Sequence, residues 1–135
     1  MTGYSGTPLL KKPGIKEGFK IYIQNPPENY FHFLGPMPPE VKIVKSLKKP
    51  LDFIALFLNN QQEYEIVLPQ VLEALAPNGM IWASWPKVSS QIKTDLSDTV
   101  IRQFALKKGL VDIKVCAVDE TWSGLKLVTP VKDRK

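Results

Sequence analysis

Apolar and polar positions alternate over Phe19-Lys20-Ile21-Tyr22-Ile23, with β-branched and aromatic side chains among them. That period predicts a strand. Asn25-Pro26-Pro27 breaks it, and a short helix is expected from Pro27 towards Leu34, carrying Tyr30, Phe31, Phe33 and Leu34. Gly35-Pro36-Met37-Pro38-Pro39 ends that helix, because proline removes backbone donors and glycine accepts the left-handed terminator. Val41-Lys42-Ile43-Val44 predicts a second strand and Leu51 to Leu58 a third. The third is almost continuously apolar, as a strand covered on both faces of a parallel sheet would be.

From Gln61 to Ala76 the spacing becomes helical, with Tyr64, Val67, Leu68, Val71, Leu72 and Leu75 on one stripe. Pro69 inside this stripe predicts a kink or a second helix start. Pro77-Asn78-Gly79 reads as a turn, and Met80 to Trp85 as a fourth strand stopped by Pro86. A helix is expected from Leu96 to Lys108, capped by Asp95 and ended by Gly109; Asp98 near its start and Lys107 and Lys108 near its end suit the helix dipole. Val111 to Val118 and Leu125 to Val128 predict two last strands, joined through Asp119 to Gly124 as an antiparallel hairpin.

The resulting order, β-α-β-β-α-β-α-β-β, predicts an α/β fold: three-layer, Rossmann-like, with a mostly parallel sheet of about six strands and a C-terminal antiparallel hairpin. The 135 residues fit a single domain, with residues 1–18 as an N-terminal arm. Within the arm, Thr7 and Pro8 suit the start of a short helix over residues 7–12. Two readings of the arm stay open: a flexible segment, or one packed over the site edge or a neighbouring subunit with Tyr4, Leu9 and Leu10 as its anchors.

Composition narrows the class. A hydrophobic content of 44% is enough for a packed core rather than a disordered chain. Met1-Thr2-Gly3-Tyr4 has no basic stretch leading into an apolar run, so no secretory leader is expected. Phe53 to Leu58 is too short to span a bilayer, so no membrane association is expected. Cys116 is the only cysteine, which excludes an intramolecular disulfide and points to a reducing, cytoplasmic setting. The net charge of +5 is unevenly spread, with Lys42, Lys45, Lys48 and Lys49 in a run free of acids. Such a run fits either a solvated surface or an anionic partner. Aromatic residues do not interleave these lysines as a base-stacking platform requires, so nucleic acid is disfavoured.

Leu51-Asp52-Phe53-Ile54 resembles the fourth strand of the class I methyltransferase superfamily, and Leu68-Pro69 to Gly79-Met80-Ile81 its following helix, turn and fifth strand. The closing hairpin resembles its sixth and seventh strands. More narrowly, Gly-Tyr-Ser-Gly-Thr-Pro-Leu at 3–9 and Val-Cys-Ala-Val-Asp-Glu-Thr-Trp-Ser-Gly-Leu-Lys at 115–126 resemble a small bacterial family of uncharacterised proteins, which implies a fold and no activity.

The superfamily resemblance implies a cofactor, yet the residues argue against its usual seat. A dinucleotide or S-adenosylmethionine site in such a fold needs a glycine-rich, donor-rich turn after the first strand. Here that turn is Gln24-Asn25-Pro26-Pro27-Glu28-Asn29: glycine is absent, prolines remove N–H donors, and Glu28 adds a repelling charge. Where an acidic residue would hold a ribose there stand Lys45 and Ser46, and Lys48-Lys49-Pro50 occupies the place of the superfamily's third strand. The expectation is no cofactor.

Ligands of open α/β sheets bind outside the carboxyl ends of the strands. Those ends carry Gln24, Asn25, Asn59, Asn60, Trp85, Lys87, Asp119 and Glu120, with Trp122 and Ser123 at the hairpin. The candidate pocket is therefore Asn25, Asn59, Trp85, Lys87, Asp119, Glu120, Trp122 and Ser123: tryptophans to stack, amides to orient, carboxylates and a lysine for acid–base work. The competing reading is that Asp119, Thr121 and Ser123 only shape the turn while the tryptophans cover the sheet edge. His32, the sole histidine, sits between Phe31 and Phe33 and reads as a surface or packing residue; Cys116 reads as structural. No spacing suggests a metal site. Three functions stay open. The first is a non-catalytic or regulatory Rossmann-like module working through protein contacts, as a homo-oligomer. The second is a small-molecule enzyme, an atypical transferase using Lys87, Asp119 and Glu120. The third is weak nucleic-acid binding through Lys42 to Lys49.

Overall fold

The structure is a computed structural model that describes residues 14–28 and 30–134. The expected arm helix over residues 7–12, its anchors Tyr4, Leu9 and Leu10, and the motif at 3–9 lie outside the described residues. Six strands form one sheet: β1 (Lys20–Gln24), β2 (Lys42–Val44), β3 (Leu51–Phe57), β4 (Leu75–Pro86), β5 (Val111–Ala117) and β6 (Trp122–Val128). The helices are α1 (Tyr30–Leu34), α2 (Gln61–Leu72) and α3 (Asp98–Lys107). The strand order is β2-β1-β3-β4-β6-β5. β2, β1, β3 and β4 are mutually parallel. β6 runs antiparallel to both β4 and β5, so it enters between them and leaves β5 at the edge. Residues 45–50 form no strand. No helix among the described residues is long and apolar enough to cross a membrane.

β3 is covered on both faces, as its composition predicts. Ile54 and Leu56 pack towards α2 and α3 with Tyr64, Leu68, Val71, Ile101 and Ala105. Phe53 and Phe57 pack the other way, against Tyr30, Leu34 and Ile15. All of these are nearly inaccessible to water. Each such Leu, Ile or Phe contributes about 1.5–3 kcal/mol relative to exposure, so the middle of the sheet anchors the fold.

Element boundaries moved where tertiary partners outbid local pattern. The helical pattern over 61–76 stops at Leu72, because the chain turns through Glu73 and Ala74 to start β4 at Leu75. Pro69 stays inside α2 and withdraws one N–H from its ladder. Pro77-Asn78-Gly79, expected as a turn before the strand, lies within β4 as an irregularity. Leu51 faces Leu75 and Phe53 faces Met80, so residues 76–79 bulge opposite Asp52 alone. Gly79 fits there because a Cβ would stand 2.7 Å from the Leu51 carbonyl oxygen. α3 begins later than expected, with Ser97 as its cap: Ser97 Oγ accepts the Val100 N–H at 3.3 Å. Arg102 ties α3 to the edge strand through Asp112, at 2.9 Å.

Candidate functional site

The chain passes from β1 outward to β2 and then back across β1 to β3. The strand order therefore reverses between β1 and β3, and the crevice outside their carboxyl ends is the expected ligand position for this architecture. β1 ends at Gln24, followed by Asn25 in a left-handed conformation (φ 53°) and then Pro26 and Pro27. β3 ends at Phe57, and Asn59 and Asn60 lead into α2.

Glu63, in the first turn of α2, draws these pieces together. Its Oε1 accepts the Asn59 backbone N–H at 2.8 Å, and its Oε2 accepts from Asn25 Nδ2 at a long 3.5 Å. Asn60 caps the helix by accepting the Glu63 N–H at 2.8 Å. The segment before α3 closes the other side: Thr94 Oγ1 donates to the Asn59 carbonyl at 2.7 Å, and Asp95 Oδ1 accepts the Gln61 N–H at 2.7 Å. Asp95, expected as the cap of α3, thus serves α2. A shallow depression of about 320 Å³, lined by Asn60, Gln62, Glu63, Ile66 and Val67, lies alongside.

The expected pocket residues fall into separate groups. Asn25 and Asn59 meet at the β1–β3 crevice through Glu63. Lys87, Asp119, Glu120, Trp122 and Ser123 gather where β4 meets the hairpin, with Ser123 opposite Trp85 and Trp122 opposite Pro86. There the Lys87 N–H donates to the Thr121 carbonyl at 2.7 Å. Asp119 Oδ1 accepts the Thr121 and Trp122 N–H groups at 2.8 and 2.7 Å, an arrangement that shapes the turn. Glu120 is exposed. The tryptophans do not share a pocket wall: Trp85 is buried with the residues under α2 and α3, and Trp122 packs on the opposite face.

Glu63, Tyr30 and Phe57 are site-edge residues that the sequence reading did not single out. Asn60-x-x-Glu63 has the spacing of a capping box, the one local signal that marks Glu63. Tyr30 stands edge-on to Phe57 at 4.8 Å between ring centres, and Phe57 edge-on to Trp122 at 5.2 Å. This aromatic row lines the face opposite α2 and α3 at the same end of the sheet. Burial pushes the Tyr30 phenol above its ordinary value, so it stays neutral. His32 is exposed and Cys116 half-buried. Among the described residues no group of three or more His, Cys, Asp or Glu could hold a metal ion.

The β1 turn does not fit an adenosyl cofactor in the usual manner of this fold. Pro26 and Pro27 have no N–H to offer, and the Glu63 carboxylate faces the side-chain amide of Asn25 in that turn, a charge that repels a ligand carboxylate or phosphate.

Neither a family profile nor a curated protein matches the sequence. Solved structures do match the fold. TrmN from Thermus thermophilus superposes with a TM-score of 0.58 at 13% identity over 90% of this chain, which spans 47% of that protein, about half its length. A SAM-dependent methyltransferase from Aquifex aeolicus gives 0.56 at 15% identity, covering 88% of this chain and 86% of that one. DhpI, solved in complex with SAH, gives 0.62 at 12% identity, covering 91% and 81%. The chain therefore has the Rossmann-like α/β fold of the SAM-dependent methyltransferases, with a mostly parallel six-stranded sheet and an antiparallel β4-β6-β5 portion.

Proposed function

We propose that the chain is an atypical transferase of the methyltransferase fold, binding a small molecule at the carboxyl edge of the sheet between β1 and β3. The observation that carries this reading is the set formed by Asn25, Asn59 and Glu63 at the point where the strand order reverses. A ligand there meets the Glu63 carboxylate and the Asn25 side-chain amide in place of a row of backbone N–H groups. That chemistry favours a neutral or cationic group over a phosphate or carboxylate. In the separate hairpin group at the same end of the sheet, Lys87 and Glu120 are the ionisable side chains left for acid–base work, since Asp119 is engaged in the turn. The test is calorimetric titration of the full chain with S-adenosylmethionine, S-adenosylhomocysteine and adenosine, followed by amide chemical shifts. Binding of adenosine, with shifts at Asn25 and Asn59 and weakening in Glu63→Gln, is expected, the two carboxylate-bearing ligands binding more weakly. Absence of binding to all of them overturns the reading.

A second reading is favoured by the proline-closed β1 turn: a non-catalytic Rossmann-like module that lost its cofactor and acts through protein contacts as a homo-oligomer. Light scattering on the full chain tests it; a strict monomer at micromolar concentration counts against it.

A further inference from the structure

The sheet face opposite α2 and α3 holds a charge arrangement that the edge site does not use. Lys126, in the middle of β6, is in register with Trp82 on β4 and with Lys114 on β5. All three therefore point to one face, the face on which Met80, Cys116, Trp122 and Val128 also pack. The segment leading into β1 reaches the same spot, since a Cβ added to Gly14 would lie 3.9 Å from Lys126 Nζ. Lys16 on that segment and Lys114 on β5 both repel Lys126.

No carboxylate among the described residues offsets this repulsion. Among the described residues Lys126 has no ion pair, and the one group that favours its charge is Cys116. The ammonium is partly withdrawn from water over an apolar and aromatic floor, so desolvation first, then Lys114 and Lys16, lower its pKa. Lysines on a solvated face splay apart into water. Lys16 and Lys114 are exposed in that way, but the Lys126 ammonium is partly buried beside their charges, an arrangement relieved by an anion carrying more than one negative charge.

We propose that Lys16, Lys114 and Lys126 form a binding site for a phosphoryl-bearing small anion on the β4–β6–β5 face. Lys126 lies four positions along β6 from Trp122, roughly 13 Å at about 3.3 Å per residue, so this site is separate from the edge site and stands whether or not that proposal holds. It is also separate from the exposed lysines at 42, 45, 48 and 49, which belong to β2 at the opposite edge of the sheet and the segment after it. A phosphoryl group suits three ammonium ions because its oxygens accept from all of them at once.

The experiment titrates the full chain at low ionic strength with pyrophosphate, citrate and a short single-stranded oligonucleotide, by calorimetry and amide chemical shifts. Saturable pyrophosphate binding is expected, with shifts at Lys114 and Lys126. It should weaken about tenfold or more in Lys126→Met, less in Lys114→Gln, and not at all in Lys48→Gln/Lys49→Gln. Lys126→Met also removes an unfavourable charge, so its thermal midpoint should match or exceed the parent's, which separates lost binding from lost folding. Unsaturable pyrophosphate binding, equal affinity in Lys126→Met, or shifts confined to Lys48 and Lys49 would each overturn the site. Citrate binding as tight as pyrophosphate would overturn the phosphoryl class, and tighter binding of the oligonucleotide through the same lysines would overturn the small-anion assignment.

Discussion

Glu63 holds the Asn59 backbone: its Oε1 accepts the Asn59 N–H at 2.8 Å, four residues back along the chain. The bond fixes the β3–α2 connection at the point where the strand order reverses, while the other oxygen faces Asn25. Removing the carboxylate in Glu63→Ala strips the acceptor from a solvent-exposed backbone donor, which costs about 0.5–1.5 kcal/mol. The urea midpoint should fall accordingly, and Glu63→Gln should recover part of the loss by supplying a neutral acceptor. Equal midpoints for parent and Glu63→Ala would show that water replaces the bond fully.

Asp95 and Ser97 serve different helices, and hydrogen exchange can tell them apart. Asp95→Ala removes the acceptor of the Gln61 N–H at the start of α2, and Ser97→Ala removes the cap of α3. Each should cost about 1 kcal/mol. Faster exchange should appear at Gln61 in the first variant and at Val100 in the second. Faster exchange confined to α3 in Asp95→Ala would contradict the observed pairing.

Tyr64 joins α2 to α3 by donating its hydroxyl to the Ile101 carbonyl at 2.8 Å, edge-on to Phe104 at 5.4 Å. Tyr64→Phe should cost about 0.5–1.5 kcal/mol. Burial raises the pKa of this phenol and that of Tyr30 above the ordinary value of 10.0. The unfolded chain therefore releases these protons first, and binds fewer protons than the folded chain once pH exceeds about 10. Stability should fall as pH rises through that window, and less steeply in Tyr64→Phe, as read from urea midpoints measured across it.

Gly79 lets the β4 bulge close against β3. In Gly79→Ala the new Cβ would stand 2.7 Å from both the Leu51 carbonyl oxygen and Leu75 Cδ1. Rigid backbone lies on one side, so the strand must move, at a cost of about 1–3 kcal/mol. A thermal midpoint equal to the parent's would mean that the bulge relaxes freely.

Much of this fold is legible in one dimension. Ile21, Phe53, Ile54, Leu56 and Ile81 announce strands because burial on a pleated surface selects such residues, and Val67, Leu68 and Val71 announce α2 by their spacing. The donor-poor turn at Asn25-Pro26-Pro27 is legible for a similar reason: what a backbone can donate depends on residue type alone. The composition of the site's edge could be read in the same way, but not its grouping.

The sequence by itself determined the number and order of the main strands and helices, though not all their ends, and which backbone donors the β1 turn lacks, because both follow from side-chain chemistry within a few residues. Only the tertiary structure decided that β6 enters between β4 and β5, that Asp95 accepts the first N–H of α2, and that Trp85 and Trp122 face opposite sides of the sheet. Side chains alternate faces along a strand, so pairing Trp122 with Pro86 rather than with Trp85 puts the tryptophans on opposite sides. That register is a long-range choice, made by the packing of two faces at once, and no local pattern carries it.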